Sequence, residues 1–441
     1  MYEGKPSKLF ARYAVPQMVG LLFNSVYLIV DGVFIGNRLS RAAMAAAAVS
    51  VPFIEILIAL AMAVASGAGI LISSRLGNRD STGARQAFKL AIRVLAILGA
   101  GIVVLGNLFI SPLARLLGAT PQIQDEAVTY LWYIVTFSPF QLFSFLLGGL
   151  VRNDGRPKLA MFALAFGSVS NIVLDWAFMY PMNMGIAGAA LATALGPIFS
   201  VLILLPHFLL KKGELYFTKD KVRPGEARRV FALGFPAFIM EFTIGIITFL
   251  YNFAIVRNGY GELGLAAYLI IGYLMLILLT VFLGLAEGLQ PVFSYLAGAG
   301  QELRGRALRR FSTGTLLGIG VLAYGLILLG AKGFITMFAP GDAELVAFTH
   351  GRTLVYFSGF FLAGFNILMI SYWQSVQQAR SALPVSLLRS VVLPPVLLLA
   401  LPPFFGPEAI WLCHSLSEVL TAGAALLLLR GPGRLPRRVT D

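Results

Sequence analysis

The chain reads as an all-α polytopic membrane protein, with twelve transmembrane helices in two pseudo-symmetric six-helix bundles around a central cleft. Three observations predict this. Of 441 residues, 58% are hydrophobic and only 12% charged, with a mean hydropathy of +0.83, so too little polar surface is available to coat a water-soluble domain. Apolar runs of membrane length recur along the whole chain. A pattern of small and polar residues in the first half returns in the second.

A helix rises about 1.5 Å per residue across a hydrocarbon core about 30 Å thick, so each span needs about 20 residues. Apolar runs between charged or Gly/Pro-marked loops place spans near 10–36, 43–73, 90–112, 126–150, 159–181, 186–210, 229–256, 263–297, 310–331, 344–374, 382–405 and 408–429. The first is too long for a cleaved signal, and no small-residue cleavage pattern follows it, so it is expected to remain. The net charge of +14 does not indicate a nucleic-acid partner. Lys and Arg instead alternate between loops, most of the 34 falling at the N-terminus and in every second loop. By the positive-inside rule both termini are cytoplasmic, in a multi-pass protein of the cell (inner) membrane. Arg75, Arg79, Arg85 and the basic stretch from Lys211 to Arg229 then set orientation against the anionic face of the lipid bilayer.

The internal repeat pairs Ala45-Ala46, Ser66-Gly67, Ser73 and Gly77 with Ala266-Ala267, Glu287-Gly288, Ser294 and Gly298 at constant spacing, and Pro16 with Pro236. An even number of helices per repeat makes the halves parallel. The expected organisation is an N-terminal lobe over 1–212, a cytoplasmic linker over 213–228 and a C-terminal lobe over 229–441. Pro16 lies on the same helix as Asp31, where its missing amide donor creates a bending point or a static kink.

Two carboxylates, Asp31 and Asp175, fall inside otherwise apolar spans, where a charge costs roughly 2.5 to 3.5 kcal/mol even on the lenient insertion scale. By helical rise both lie in the outer part of the bilayer, and Thr193 on the sixth span reaches the same level. Asn171 precedes Asp175 by four residues and shares its face. Four oxygen-bearing side chains, Asp31, Asn171, Asp175 and Thr193, are therefore expected to converge. Such a set suits Na+, which prefers hard oxygen ligands. It equally suits H+ shared between neighbouring carboxylates, or a hydrogen-bonded staple between helices. The positions matching Asp31 and Asp175 in the second half fall near Asn252 and Leu399, so any ion coupling is expected in the first lobe alone.

Nearer mid-membrane lie Glu55, Glu241, Glu287 and Glu418. With aromatic neighbours including Phe53, Phe242, Tyr268 and Tyr273, Glu55, Glu241 and Glu287 are candidates to line a cleft for lipophilic cations, through charge and cation–π attraction. Pairing or protonation within a bundle is the competing reading. One cysteine, Cys413, excludes an internal disulfide and a cysteine metal site, and His207, His350 and His414 are scattered. No His-Glu-x-x-His run or nucleophile with its base is present, so an enzyme is not expected, and neither is a resident cofactor.

The segments VPQMVGLLFNSVYLIVDGVFIG (15–36), AVASGAGILISSRLGNRD (63–80), RNDGRPKLAM (152–161), SNIVLDWAFMYPMNMGIAGAALATALG (170–196) and GLQPVFSYLAGAG (288–300), in this order, resemble the multidrug and toxic compound extrusion (MATE) family. The likeness is to its DinF-like and MepA-like bacterial branch. The resemblance implies a twelve-helix, two-lobed secondary antiporter that exports amphipathic, often cationic, small organic molecules in exchange for Na+ or H+ by alternating access. It implies a cation site at positions matching Asp31, Asn171, Asp175 and Thr193, and a switching role for Pro16. The tenth span, FNILMISYWQS, lacks the acid of NorM-like members, so no second-lobe sodium site is implied. A lipid-linked saccharide or polysaccharide flippase of the same superfamily is the alternative, but it would need a cationic cleft where acids stand here. No nucleic-acid partner is expected, and the chain is expected to act as a monomer.

Overall fold

The computed structural model describes residues 4–39, 41–218 and 225–430. Part of the expected linker, residues 219–224, and the tail from 431 lie outside the described residues. The described residues are helical throughout, without strands. The first half comprises α1 (Pro6–Arg38), α2 (Arg41–Gly77), α3 (Ser81–Leu108), short α4 (Ile110–Leu116), α5 (Gln124–Asn153), α6 (Pro157–Met179) and α7 (Gly185–Leu209). The second comprises α8 (Glu226–Arg257), α9 (Gly261–Gly298), α10 (Glu302–Phe338), α11 (Ala343–Tyr356), α12 (Ala363–Ser375), α13 (Ala379–Leu387), α14 (Leu393–Phe405) and α15 (Cys413–Arg430). Starts follow local chemistry. Pro6 and Pro157 occupy first helical turns, where a missing N–H costs nothing. Asp80 and Asp342 cap α3 and α11 by accepting from the Gly83 and Leu345 amides at 2.8 and 2.9 Å.

Among the described residues eleven helices are long and apolar enough to cross a membrane, and the bent pair α11–α12 makes up to twelve. Three spans differ in detail from the sequence reading. The span at 90–112 ends at Leu108, and α4 starts anew after Phe109. The span at 344–374 is broken, its halves bent by 45°. A break inside a bilayer frees backbone groups that must be re-satisfied, and Ser415 of α15 does so. Its hydroxyl accepts from the Gly359 amide at 2.7 Å and contacts the carbonyls of Tyr356 and Val355 at 2.8 and 3.1 Å. The span at 382–405 contains a π-turn at Leu388–Val392. Pro394 and Pro395 follow immediately and lack the N–H groups a regular helix would need there.

Within the first half α2 packs on α5, α6 on α7 and α1 on α6, and within the second α9 packs on α12; the halves meet through α2 on α8 and α1 on α9. α1 continues through Pro16 as one helix. The meeting is tight at the end carrying the N-terminus and most basic loops, here termed the basic end. A methyl at Gly67 would strike the Val230 carbonyl, and one at Gly234 the Ala63 carbonyl. Further along, one at Gly77 would strike Tyr295, and one at Gly298 would strike Ser74. The repeat is thus also a repeat of contacts, with backbone pressed against backbone from both sides. Toward the other end of α1, α8 and α9, Gly32, Gly245 and Gly272 meet nothing within 4 Å.

Candidate functional site

Side chains reinforce the closed end. Arg75 pairs with Glu226 at 2.5 Å across the halves. Ser66 receives hydrogen bonds from Gln290 at 2.7 Å and Gln374 at 3.0 Å, and Gln374 also donates to the Leu233 carbonyl at 2.7 Å. Nearer mid-span, Gln17 donates to Glu287 at 3.1 Å, and Ser25 and Thr280 bond hydroxyl to hydroxyl at 2.8 Å. The same helix α1 changes company along its length. Leu9, Phe10, Tyr13 and Ala14 are buried in the core of the second lobe, whereas Val26, Leu28 and Val33 are exposed.

Asp31 of α1 and Asp175 of α6 come together, with Asn171 one turn before Asp175 on the same buried face, and Thr193 of α7 is linked to them through Tyr130. The carboxyl groups of Asp31 and Asp175 face each other at interaction range. Asn171 and Asp175 are buried, on the face of α6 that also buries Gly167 and Ser168 against α7. The Asp31 and Asp175 carboxyl groups are within hydrogen-bond reach of one another and Thr193 of Tyr130, while both amide atoms of Asn171 are buried without a protein hydrogen-bond partner. Two ionised carboxylates offer only acceptors, so what completes such a group is a proton or a small cation. Two tyrosines that sequence reasoning passed over complete its walls. Tyr27, one turn before Asp31, lies within electrostatic range of both aspartates, and Tyr130 of α5 faces Thr193. The i, i+4 spacing of Tyr27 and Asp31 was a readable signal, whereas Tyr130 had none.

Glu241 of α8 lies within electrostatic range of both Glu287 of α9 and Glu55 of α2, so these three acids converge between the halves. Glu287 also faces Arg152 of α5, a buried guanidinium not singled out from sequence. The aromatic candidates are placed differently. Tyr268 belongs to a ring cluster inside the second lobe, stacked on Tyr251 at 4.9 Å, with Tyr356 6.3 Å away. Tyr273 stacks on Phe338 of α10 at 5.3 Å. Glu418 separates from the other acids altogether. Its carboxylate receives two guanidinium nitrogens of Arg389, at 2.7 and 3.0 Å, and the Asn366 amide at 2.7 Å. Arg389 was legible as a basic residue within the eleventh span, and the alternation of loop charges masked it.

Among the described residues no group of three or more His, Cys, Asp or Glu is placed to hold a metal ion.

Residues 16–177 match the MatE family model. The chain is 26% identical over 434 residues to the multidrug export protein MepA of Staphylococcus saprophyticus, covering 97% of this chain and 95% of that protein. It is 25% identical over 433 residues to MepA of Staphylococcus aureus, covering 96% and 93%. Its fold matches the outward-facing conformation of a multidrug resistance MATE family transporter of the MOP superfamily, with a TM-score of 0.90 at 22% identity over 96% of this chain and 95% of that one.

Proposed function

We propose that this chain, which carries a MatE family domain, is a multidrug efflux antiporter that exports amphipathic, often cationic, organic compounds in exchange for Na+ or H+ by alternating access. The observation that carries the reading is the facing carboxyl pair of Asp31 and Asp175, with the unpartnered amide of Asn171 beside it. The basic end faces the cytoplasm, and the closed contact there makes this conformer the outward-facing one. A cation entering from outside reaches the first-lobe group, and substrate leaves the cleft beside Glu55, Glu241 and Glu287. Inward movement of one positive charge gains about 2.3 kcal/mol per 100 mV of membrane potential. That gain adds to export only when more positive charge enters than leaves with the substrate, and any ion gradient drives export only because the ion binds the two conformers unequally. Pro16 supplies the point at which α1 bends to open the closed end, since no backbone hydrogen bond need be broken there.

Proteoliposomes with an imposed Na+ or H+ gradient test coupling directly. Movement of a cationic dye against its gradient under one of the two is expected, and none under either defeats the reading. Alternation has its own test. The Ser25–Thr280 contact joins α1 to α9, and Cys413 is buried, so Ser25→Cys combined with Thr280→Cys provides a selective crosslink. Oxidation should arrest efflux and reduction restore it; undiminished efflux by the crosslinked protein would exclude separation of the lobes at this point.

A further inference from the structure

Arg152 sets a positive charge beside an acid of the cleft, and the proposed cycle gives it no part. It stands on the last turn of α5, in the first half, and the carboxylate it faces is Glu287 of α9, in the second. α5 and α9 are in contact across the halves.

Neighbours on both sides place the pair. A methyl at Gly149, one turn before Arg152, would lie 3.7 Å from Arg152 Nη2 and 3.8 Å from the Ala65 Cβ of α2, so the guanidinium runs back along α5 beside α2. The next residue of α2, Ser66, accepts at 2.7 Å from Gln290, one turn beyond Glu287 on α9. Asn153 holds the end of α5 against α2, accepting from Ser73 at 2.6 Å. Glu287 itself accepts from Gln17 of α1 at 3.1 Å.

The pairing is selective. Glu241 lies within electrostatic range of Glu55 and Glu287, whereas Arg152 lies within range of Glu287 alone among the three. Arg152 and Glu287 are half-buried as residues, unlike the enclosed Arg389–Glu418 pair, in which Glu418 is 3% exposed. Arg389 and Glu418 also belong to one half and travel together. Arg152 and Glu287 belong to different halves, so parting at the basic end takes one from the other.

We propose, resting on the efflux reading, that Arg152 is a tethered competitor of the cationic substrate and displaces it from Glu287 each time the basic end closes. With that end open, Arg152 withdraws and Glu287 offers the cytoplasm a carboxylate without its cation, which a lipophilic cation pairs. On closure the guanidinium returns. Two cations repel at one carboxylate, and the untethered one leaves through the cleft. Arginine suits the task because its guanidinium keeps its charge away from bulk water. An uncharged substrate meets no such competition.

The test is equilibrium binding of a cationic dye and of an uncharged analogue of the same shape, read by fluorescence anisotropy. The full chain is held closed by the Ser25→Cys and Thr280→Cys crosslink. In that state Arg152→Gln should bind the cation about tenfold more tightly than the parent, as expected of one charge-assisted contact regained, and the uncharged analogue equally well. Arg152→Lys keeps the charge and should stay near the parent. Added to Glu287→Gln, Arg152→Gln should leave dye affinity where Glu287→Gln alone puts it. Without the crosslink, in proteoliposomes, Arg152→Gln should lower KM and kcat for the dye together, because release slows. Unchanged or weaker dye binding by crosslinked Arg152→Gln, an equal gain for the uncharged analogue, or a gain that survives in Glu287→Gln would each overturn the proposal. The doubly neutral variant leaves neither charge unpaired, so this last comparison stands even where Arg152→Gln alone does not fold. Because binding is read without a gradient, dye transport with unaltered affinities would sink this inference alone. The expected affinities without transport under either gradient would uphold competition at Glu287 and sink the efflux reading.

Discussion

Two buried acidic groups, one in each half of the chain, are neutralised in opposite ways. In the first half the carboxyl groups of Asp31 and Asp175 face each other, and both amide atoms of Asn171 beside them lack a protein partner. In the second, Glu418 is surrounded by Arg389 and Asn366, with bonds of 2.7 to 3.2 Å. The second half carries a cation of its own on a tether, and a charge supplied by the chain cannot exchange with solution. On the proposed reading the first-half pair is joined by an exchangeable ion instead, so the contrast teaches that a repeated sequence pattern need not bring a repeated ion dependence.

Several substitutions would break or sharpen this contrast. The largest effect is expected from Arg389→Met, which strands Glu418 in the membrane interior. Loss of one partner of a buried pair costs about 3 to 5 kcal/mol, visible as a lowered thermal unfolding midpoint in detergent. Adding Glu418→Gln should recover most of it, and a single variant as stable as the parent would mean the tether does not neutralise the lobe. Next comes Asp31→Asn or Asp175→Asn, which should cut ion-driven efflux by about two orders of magnitude, or about 2.7 kcal/mol, at unchanged protein level. Ion-driven dye transport by either variant at the parental rate would return the first lobe to a structural role.

Glu241→Gln and Glu287→Gln should weaken affinity for a cationic dye by about tenfold each, and a neutral substrate far less. Equal dye affinity in both variants, measured by fluorescence anisotropy, would remove the acids from the cleft's chemistry. The smallest effect should come from Ser415→Ala, which strips the broken tenth span of its bridge. It should destabilise by about 1 kcal/mol without altering ion dependence, and a change in the Na+ or H+ requirement would show that the second lobe also responds to ions.

Much of this was readable from sequence, and what was not has physical causes. Span positions follow from apolar length, the approach of Asp31 to Asp175 follows from helical rise, and the shared face of Asn171 and Asp175 from the i, i+4 rule. The convergence of Glu55, Glu241 and Glu287 was likewise accessible through depth alone. Depth does not supply azimuth, however. Tyr268 and Glu418 sit at plausible levels but point into the second lobe, because a helix in lipid is apolar all round and lacks the polar stripe that would orient it. The break at Gly359 was hidden for a related reason, since what permits it, Ser415, stands 56 residues away. The π-turn before Pro394 and Pro395 left a local trace in the paired prolines. The partners of Arg152 and Arg389 could be named only once the bundle was assembled.

The closed contact at the basic end has a mechanical meaning. Because Gly67, Gly77, Gly234 and Gly298 let main chain meet main chain, any added methyl would hold the two faces apart. The contact therefore has a sharp end stop, and it concentrates the sensitivity to mutation in the smallest residues of the chain.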